Sequence, residues 1–317
     1  MKKIGIITRD CAGVNAALRA AVRTASAARV EVMGVVKGYE GLIRGDLVRL
    51  DRRSVSGIIS QGGTILKSAR SERFLTADGQ EEAVRTIARN GLEGLIVIGG
   101  NGSLAGAHVL ASRFGVRVVG VPATIDNDVS GVEASIGADT SANVAMEALD
   151  KIRDTATSLE RIFVVEVMGR LCGYLAMQVA LAGGCEEVLL PEREFDMDTV
   201  CREIMAGNSQ GKTSWIIIVA EGRARAEDIA AAVTRSTGLE TRIAVLGHIQ
   251  RGGRPTAFDR ILAARLGHHA VEILLGGQSD VCICMKNGGL ATVPLEIAVR
   301  PPAFDFRHDY QLLKILS

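Results

Sequence analysis

A chain of 317 residues is long enough for two ordinary domains or for one large α/β unit. Hydrophobic residues make up 47% and charged residues 23%, the balance of a globular chain, and a formal charge of +1 offers no general attraction to nucleic acid or to a membrane surface. No apolar run approaches the roughly 20 residues of a membrane span. Met1 to Arg9 enters a strand-like run without the apolar stretch and cleavage site of a signal peptide, so a cytoplasmic location is expected.

In chain order, short apolar runs alternate with helical patterns. The runs predict strands at Ile4–Thr8, Val30–Val36, Leu95–Ile98, Val116–Val121, Ile162–Val167, Val188–Leu190, Trp215–Ala220 and Ile243–Leu246. They are continuous rather than alternating, as parallel strands covered on both faces must be. Helical patterns fall between them, at Asn15–Ala28, Glu81–Asn90, Ser103–Phe114, Ala138–Asp154 and Leu171–Ala182. That alternation predicts right-handed βαβ units, hence an α/β protein of doubly wound, Rossmann-like three-layer construction. The six cysteines, Cys11, Cys172, Cys185, Cys201, Cys282 and Cys284, have no metal-binding or redox spacing. Cys282 and Cys284 would share one face of a strand, and all six read as small buried hydrophobes.

Ligands of such sheets bind where strands end and helices begin, and the chemistry-bearing residues follow the apolar runs. Gly99-Gly100-Asn101-Gly102-Ser103 joins a strand to a helix, which suits close approach to a phosphate. It also fits a plain glycine turn with Ser103 as helix cap. Thr124-Ile125-Asp126-Asn127-Asp128 places two carboxylates after a proline-marked strand end; one can accept a hydroxyl proton while the other holds a divalent cation. Taken alone, it is also an ordinary Asx-rich turn. Gly247 to Gly253 sets His248 and Arg251 around a glycine loop, and Arg170, Arg161 and Arg242 lie at strand ends or starts. Arginine forks suit phosphate, so this set points to a phosphorylated substrate.

The segments TIDND, VVEVMGR with CGYLA, LAGGCE, and VLGHIQRGG followed by DRILAARLG resemble the bacterial-type ATP-dependent 6-phosphofructokinases. So do GVNAALRAAVR near the start and GGTILKSAR at Gly62–Arg70, and the likeness runs in order from Lys2 to about Pro301. The resemblance implies phosphoryl transfer from ATP to the 1-hydroxyl of fructose 6-phosphate. Asp126 would match the base, with Thr124 close by, and Arg170 would stabilise the transferring phosphoryl group. Asp128 and, more weakly, Asn101 would hold Mg2+. Met168, Gly169 and Glu221 would hold the sugar. His248 and Arg251 would bind its phosphate, joined by Arg161 and Arg242 from a neighbouring subunit of a homotetramer. Arg70, Ser71, Gly100, Asn101, Gly102 and Ser103 would contact ATP. An effector site for ADP or phosphoenolpyruvate would use Arg19, Arg23, Arg153, Gly184, Glu186 and Lys212, with Gln210 in place of a usual lysine. Arg19 and Arg23 also read as a solvated helix face. The family's two α/β domains would map to residues 1–137 with 250–300 for nucleotide and residues 138–249 with 301–317 for sugar phosphate.

The chain departs from that family on the donor side. Its first strand is normally followed by T-S-G-G-D-x-P-G-M-N, whereas Thr8 to Asn15 reads T-R-D-C-A-G-V-N, two residues shorter and without the paired glycines. Those glycines bring backbone close to the ATP phosphates. The shorter loop opens the site, or Arg9 fills it and compensates in charge. Asn101 stands where the family has a metal-binding Asp, and Ala123 where ATP-using members have Gly. Pyrophosphate-using members carry Asp and Lys where this chain has Gly102 and Ala123, which ranks ATP ahead of pyrophosphate. A non-catalytic or donor-altered paralogue that binds sugar phosphate is the alternative; a dehydrogenase is disfavoured, because no G-x-G-x-x-G follows the first strand.

Overall fold

A computed structural model describes all residues, 1–317. In chain order the strands are β1 (Lys3–Thr8), β2 (Glu31–Val35), β3 (Leu47–Leu50), β4 (Leu95–Gly99), β5 (Val118–Pro122) and β6 (Ile162–Val167), then β7 (Glu187–Leu189), β8 (Trp215–Ala220), β9 (Thr241–Val245), β10 (Val281–Lys286) and β11 (Gly289–Pro294). The helices are α1 (Val14–Ala27), α2 (Gly38–Arg44), α3 (Ala77–Arg89), α4 (Asn101–Phe114), α5 (Ala138–Leu159) and α6 (Tyr174–Ala182), then α7 (Met197–Ser209), α8 (Ala226–Thr237), α9 (Ala257–Leu275), α10 (Leu295–Ala298) and α11 (Arg307–Leu316). The chain divides within α5 and again after Gln250, giving one compact unit of residues 1–140 with 251–302 and a second of residues 141–250 with 303–317.

The first unit is built on a seven-stranded sheet in the order β11-β10-β5-β4-β1-β2-β3. Its inner strands are parallel, and antiparallel β3 and β11 close the two edges. Ile4, Ile6 and Ile7 of β1 and Leu95 to Ile98 of β4 are fully buried, which explains their unbroken apolar runs. One face packs on α2, α3, α4 and α10 through Leu42, Ile87, Leu104, Leu110 and Leu295. Elsewhere α1 packs against α9, and the approach is so close that a Cβ added at Gly267 would come within 2.4 Å of the Ala17 carbonyl.

The second unit holds a four-stranded parallel sheet, β7-β8-β6-β9. Neighbouring residues of one strand serve opposite cores. Val165, Val167, Ile216 and Ile218 meet α5, α6 and α11, while Ile162, Val164, Ile217 and Val219 meet α7 and α8. Each such side chain removed from water stabilises the unit by roughly 1.5–3 kcal/mol, so both faces have to be covered. Strand β9 is the exception: Ile243 and Val245, 45% and 53% exposed, lie on its open edge.

One helix starts later than its pattern predicts. Leu171 was expected to open α6, but the chain first turns through Gly169 (φ 146°) and Arg170 (φ 54°), with the Cys172 N–H donating to the Gly169 carbonyl, and α6 begins at Tyr174.

Candidate functional site

In the first unit, chemistry-bearing residues gather at the ends of β1, β4 and β5, where the sheet's carbonyl ends meet helix starts. After β1, the Arg9 N–H donates to the Ile98 carbonyl at 2.9 Å. Its guanidinium donates through Nη1 to the Ala69 carbonyl at 2.7 Å, and its stem lies so close to Gly99 that an added Cβ there would meet Arg9 Cγ at 3.0 Å. The hydroxyls of Thr8 and Thr64 are 2.7 Å apart, and Asn15 donates to the carbonyls of Gln61 and Gly62, knitting the segment before Arg70 onto the end of β1. The shortened loop then turns inward, and Cys11 to Leu18 are all buried. The Cys11 thiol donates to the Ile136 carbonyl at 3.2 Å, and burial pushes its pKa far up, so it stays a thiol. Gly13, at φ 96°, makes the turn into α1.

After β4, Gly100 precedes α4 in an extended conformation with no side-chain cap. Helix α4 begins at Asn101, so Ser103 is its third residue and not its cap. The Asn101 amide donates to the Asp128 carboxylate at 2.7 Å and to the Asp128 carbonyl at 3.0 Å. The other amide atom, Asn101 Oδ1, is buried and makes no hydrogen bond. Thr124 accepts from the Asp126 N–H at 3.1 Å, and its hydroxyl is 3.5 Å from Asp128 Oδ1. Asn127 holds this turn at φ 50° while its side chain bonds the Ser135 N–H and the Glu133 carbonyl. Asp126 is buried, at 3% exposure. Thr124, Asp126, Asp128 and Asn101 are thus one cluster. A Cβ added to Gly100 would meet Thr124 Cβ at 3.1 Å, so the glycine turn lies directly against it.

Ser71 donates to Glu40 at 2.8 Å, which, with Arg44 and Arg73 nearby, holds that carboxyl below its usual range. Arg70 is exposed. Arg251, on the 3₁₀ turn Gly247–Arg251 that also carries exposed His248, has a buried Nε without a hydrogen-bond partner.

In the second unit, Glu221 follows β8 and its carboxylate accepts from the backbone N–H groups of Gly169 (3.2 Å) and Arg170 (2.9 Å). The Met168 N–H donates to Gln250 at 2.9 Å. This fixes the turn that presents Arg170. Glu240 pairs with both expected phosphate arginines, with Arg161 at 3.0 Å and with Arg242. Among the expected effector residues, Arg153 donates to the carbonyls of Gly183 and Gly184, and Lys212 lies 3.1 Å from Glu186, whose other oxygen accepts the Ile216 N–H. Arg19 and Arg23 lie on α1 in the first unit.

A family model described as Phosphofructokinase matches residues 3–274. The chain belongs to the phosphofructokinase family. It is 44% identical to an ATP-dependent 6-phosphofructokinase of Clostridium botulinum and 45% identical to one of Halothermothrix orenii, in both cases over 100% of each chain. The solved phosphofructokinase of Saccharomyces cerevisiae superposes with a TM-score of 0.88 at 34% identity; the match covers 94% of this chain and 45% of the yeast chain.

Within this phosphofructokinase, sequence reasoning overlooked Tyr39 and Glu40. Tyr39 stacks on Phe74 with ring centroids 4.0 Å apart and donates to the Ser103 carbonyl at 2.6 Å, bracing the start of α4. Both residues follow the run Val30–Val36 through a turn with Lys37 at φ 65° and Gly38 at φ 64°. The Lys-Gly-Tyr-Glu punctuation after an apolar run was the available signal.

Proposed function

We infer that the chain transfers a phosphoryl group from ATP to the 1-hydroxyl of fructose 6-phosphate. The observation that carries this reading is the cluster of Thr124, Asp126, Asp128 and Asn101 against the glycine turn before α4, in a chain alike end to end to ATP-dependent 6-phosphofructokinases. Asp126 accepts the proton of the attacking hydroxyl, and Thr124 fixes its backbone. Arg170, presented by the turn that Glu221 holds, stabilises charge on the transferring group, the main resource of phosphoryl-transfer catalysis. Arg70, Ser71 and Gly100 to Ser103 bind ATP. Met168, Gly169 and Glu221 hold the sugar, and His248 and Arg251 its phosphate. Arg161 and Arg242 of another copy complete that phosphate site in a homotetramer; the exposed apolar residues beside Arg242 support such an assembly.

The donor set fits a divalent cation of the magnesium kind. The Asp128 carboxylate and the buried, unpartnered Asn101 Oδ1 are oxygen donors, and Mg2+ is commonly held by one or two carboxylates with the rest left to water and phosphate. When bound, the cation neutralises donor-phosphate charge. An ADP or phosphoenolpyruvate effector site at Arg19, Arg23, Arg153, Gly184, Glu186 and Lys212, and a cytoplasmic location, complete the reading. A second reading, a donor-altered or non-catalytic paralogue, is favoured by one observation: the loop after β1 is short and buried.

A coupled assay with fructose 6-phosphate and ATP or pyrophosphate as donor tests the two. Magnesium-ATP turnover that falls about 10²–10⁴-fold in Asp126→Asn, with sugar-phosphate affinity kept, supports the kinase. Sugar-phosphate binding without turnover from either donor selects the paralogue.

A further inference from the structure

The loop after β1 exposes side chains and withdraws backbone. Cys11 and Ala12 are each 1% exposed, and burial continues unbroken through Leu18, so the peptide N–H groups of that stretch are not presented to a ligand. Arg9 and Asp10 remain accessible. Asp10 lies against Gly63, where an added Cβ would meet its Oδ1 at 3.1 Å. Arg9 takes the other direction. Its stem follows Gly99, and its Nη1 holds the carbonyl of Ala69, the residue before Arg70. The guanidinium is therefore fixed where three segments meet: the end of β1, the glycine turn Gly99–Gly102 and Ala69–Ser71. The 14-residue helix α4 that starts there has no acidic residue in its first turn and no side-chain cap, so nothing in that turn opposes an anion.

We propose that Arg9 is the donor-phosphate ligand of this chain, binding the terminal phosphates of a nucleoside triphosphate in place of loop backbone amides. A guanidinium has several N–H donors in a planar fork, so anchoring to Ala69 leaves capacity for paired, charge-assisted bonds to a phosphate. The exchange changes the kind of recognition. A glycine loop reads phosphate by close backbone approach, whereas an arginine reads it by charge, so affinity rises steeply with the number of phosphates and falls with salt. This rests on the phosphoryl-transfer reading for its place in the reaction, but not for the binding itself.

The test measures dissociation constants by calorimetry for ATP, AMP and inorganic tripolyphosphate with the wild type, Arg9→Lys, Arg9→Gln and Arg9→Ala. The expected result is about 10- to 100-fold weaker binding of ATP and tripolyphosphate in the Gln and Ala variants, with the Lys variant between. AMP affinity should change less than about twofold, as should that of fructose 6-phosphate, which also reports that the variants are folded. Glutamine can still donate to the Ala69 carbonyl, so it separates loss of charge from loss of that anchor. Wild-type ATP affinity in Arg9→Gln overturns the proposal. So does an equal loss for AMP, tighter ATP binding in Arg9→Ala, or a wild type that binds neither ATP nor tripolyphosphate. A wild type that phosphorylates fructose 6-phosphate while the variants bind ATP unchanged removes Arg9 and keeps the kinase; Arg9-dependent ATP binding without sugar phosphorylation does the reverse.

Discussion

The Asn101 amide donates to the Asp128 carboxylate across 2.7 Å, a distance at which two carboxylates repel strongly unless a proton or cation lies between them. Asn101→Asp should therefore make the folded state lean on a divalent cation. Thermal unfolding followed with magnesium and with a chelator should show a larger magnesium-induced rise in Tm for the variant than for the wild type. Equal shifts would mean that the pair does not take a cation. Turnover with magnesium-ATP should change little, because one side chain does not restore a loop that is two residues short.

Gly222 touches the turn that presents Arg170. A Cβ there would come within 1.7 Å of the Arg170 carbonyl oxygen and 2.7 Å of its carbon, both backbone atoms that cannot swing aside. Gly222→Ala should displace Arg170 and lower kcat by about 10²-fold, the scale of a misplacement near 1 Å. ATP affinity should stay close to wild type. Unchanged kcat in a folded variant would show that the turn tolerates the shift or that Arg170 is not used.

Glu240 faces Arg161 and Arg242 together, so a sugar phosphate that used these arginines would have to displace it. The three side chains are 27–54% exposed, which keeps each pair weak. Glu240→Gln should tighten fructose 6-phosphate binding by about two- to fivefold in calorimetry at low salt. Weaker binding would show that Glu240 positions the arginines rather than competes for them.

Asp259 is fully buried at the start of α9 and accepts from the N–H groups of Gly137 and Thr140, at 2.8 Å each, and from the Thr140 hydroxyl. Burial raises its carboxyl above the ordinary range despite those donors. The folded chain then keeps a proton that the unfolded chain has released above about pH 4, so stability falls as pH rises through the raised value and is flat beyond it. Denaturant unfolding of wild type and Asp259→Asn across that range should show the wild type losing ground relative to the variant. The opposite slope would contradict it.

Most of the sheet was legible because buried parallel strands need unbroken apolar runs, and Ile162–Val167 and Trp215–Ala220 have the same bounds in both readings. The edge strands β3 and β11 escaped detection. Leu-Val-Arg-Leu alternates, and β11 mixes Gly289, Thr292 and Pro294 into a half-exposed strand. Site chemistry could be read as strand-end residues, but not as pairs. Arg9 meets a carbonyl 60 residues away and Asn101 a carboxylate 27 residues away, and such meetings depend on strand order, which local pattern does not encode. The late start of α6 was hidden too, since a positive φ at Arg170 leaves no mark in composition.

All six cysteines are free and buried, and they divide evenly: Cys11, Cys282 and Cys284 belong to the first unit, Cys172, Cys185 and Cys201 to the second. A thiol reagent can reach them only when the surrounding structure opens, so the chain carries native clocks for opening in each unit. Labelling followed residue by residue in the native protein would report two opening rates separately, with no probe introduced. Slowing of the first set alone by a nucleotide, or of the second alone by a sugar phosphate, would map which unit each ligand grips.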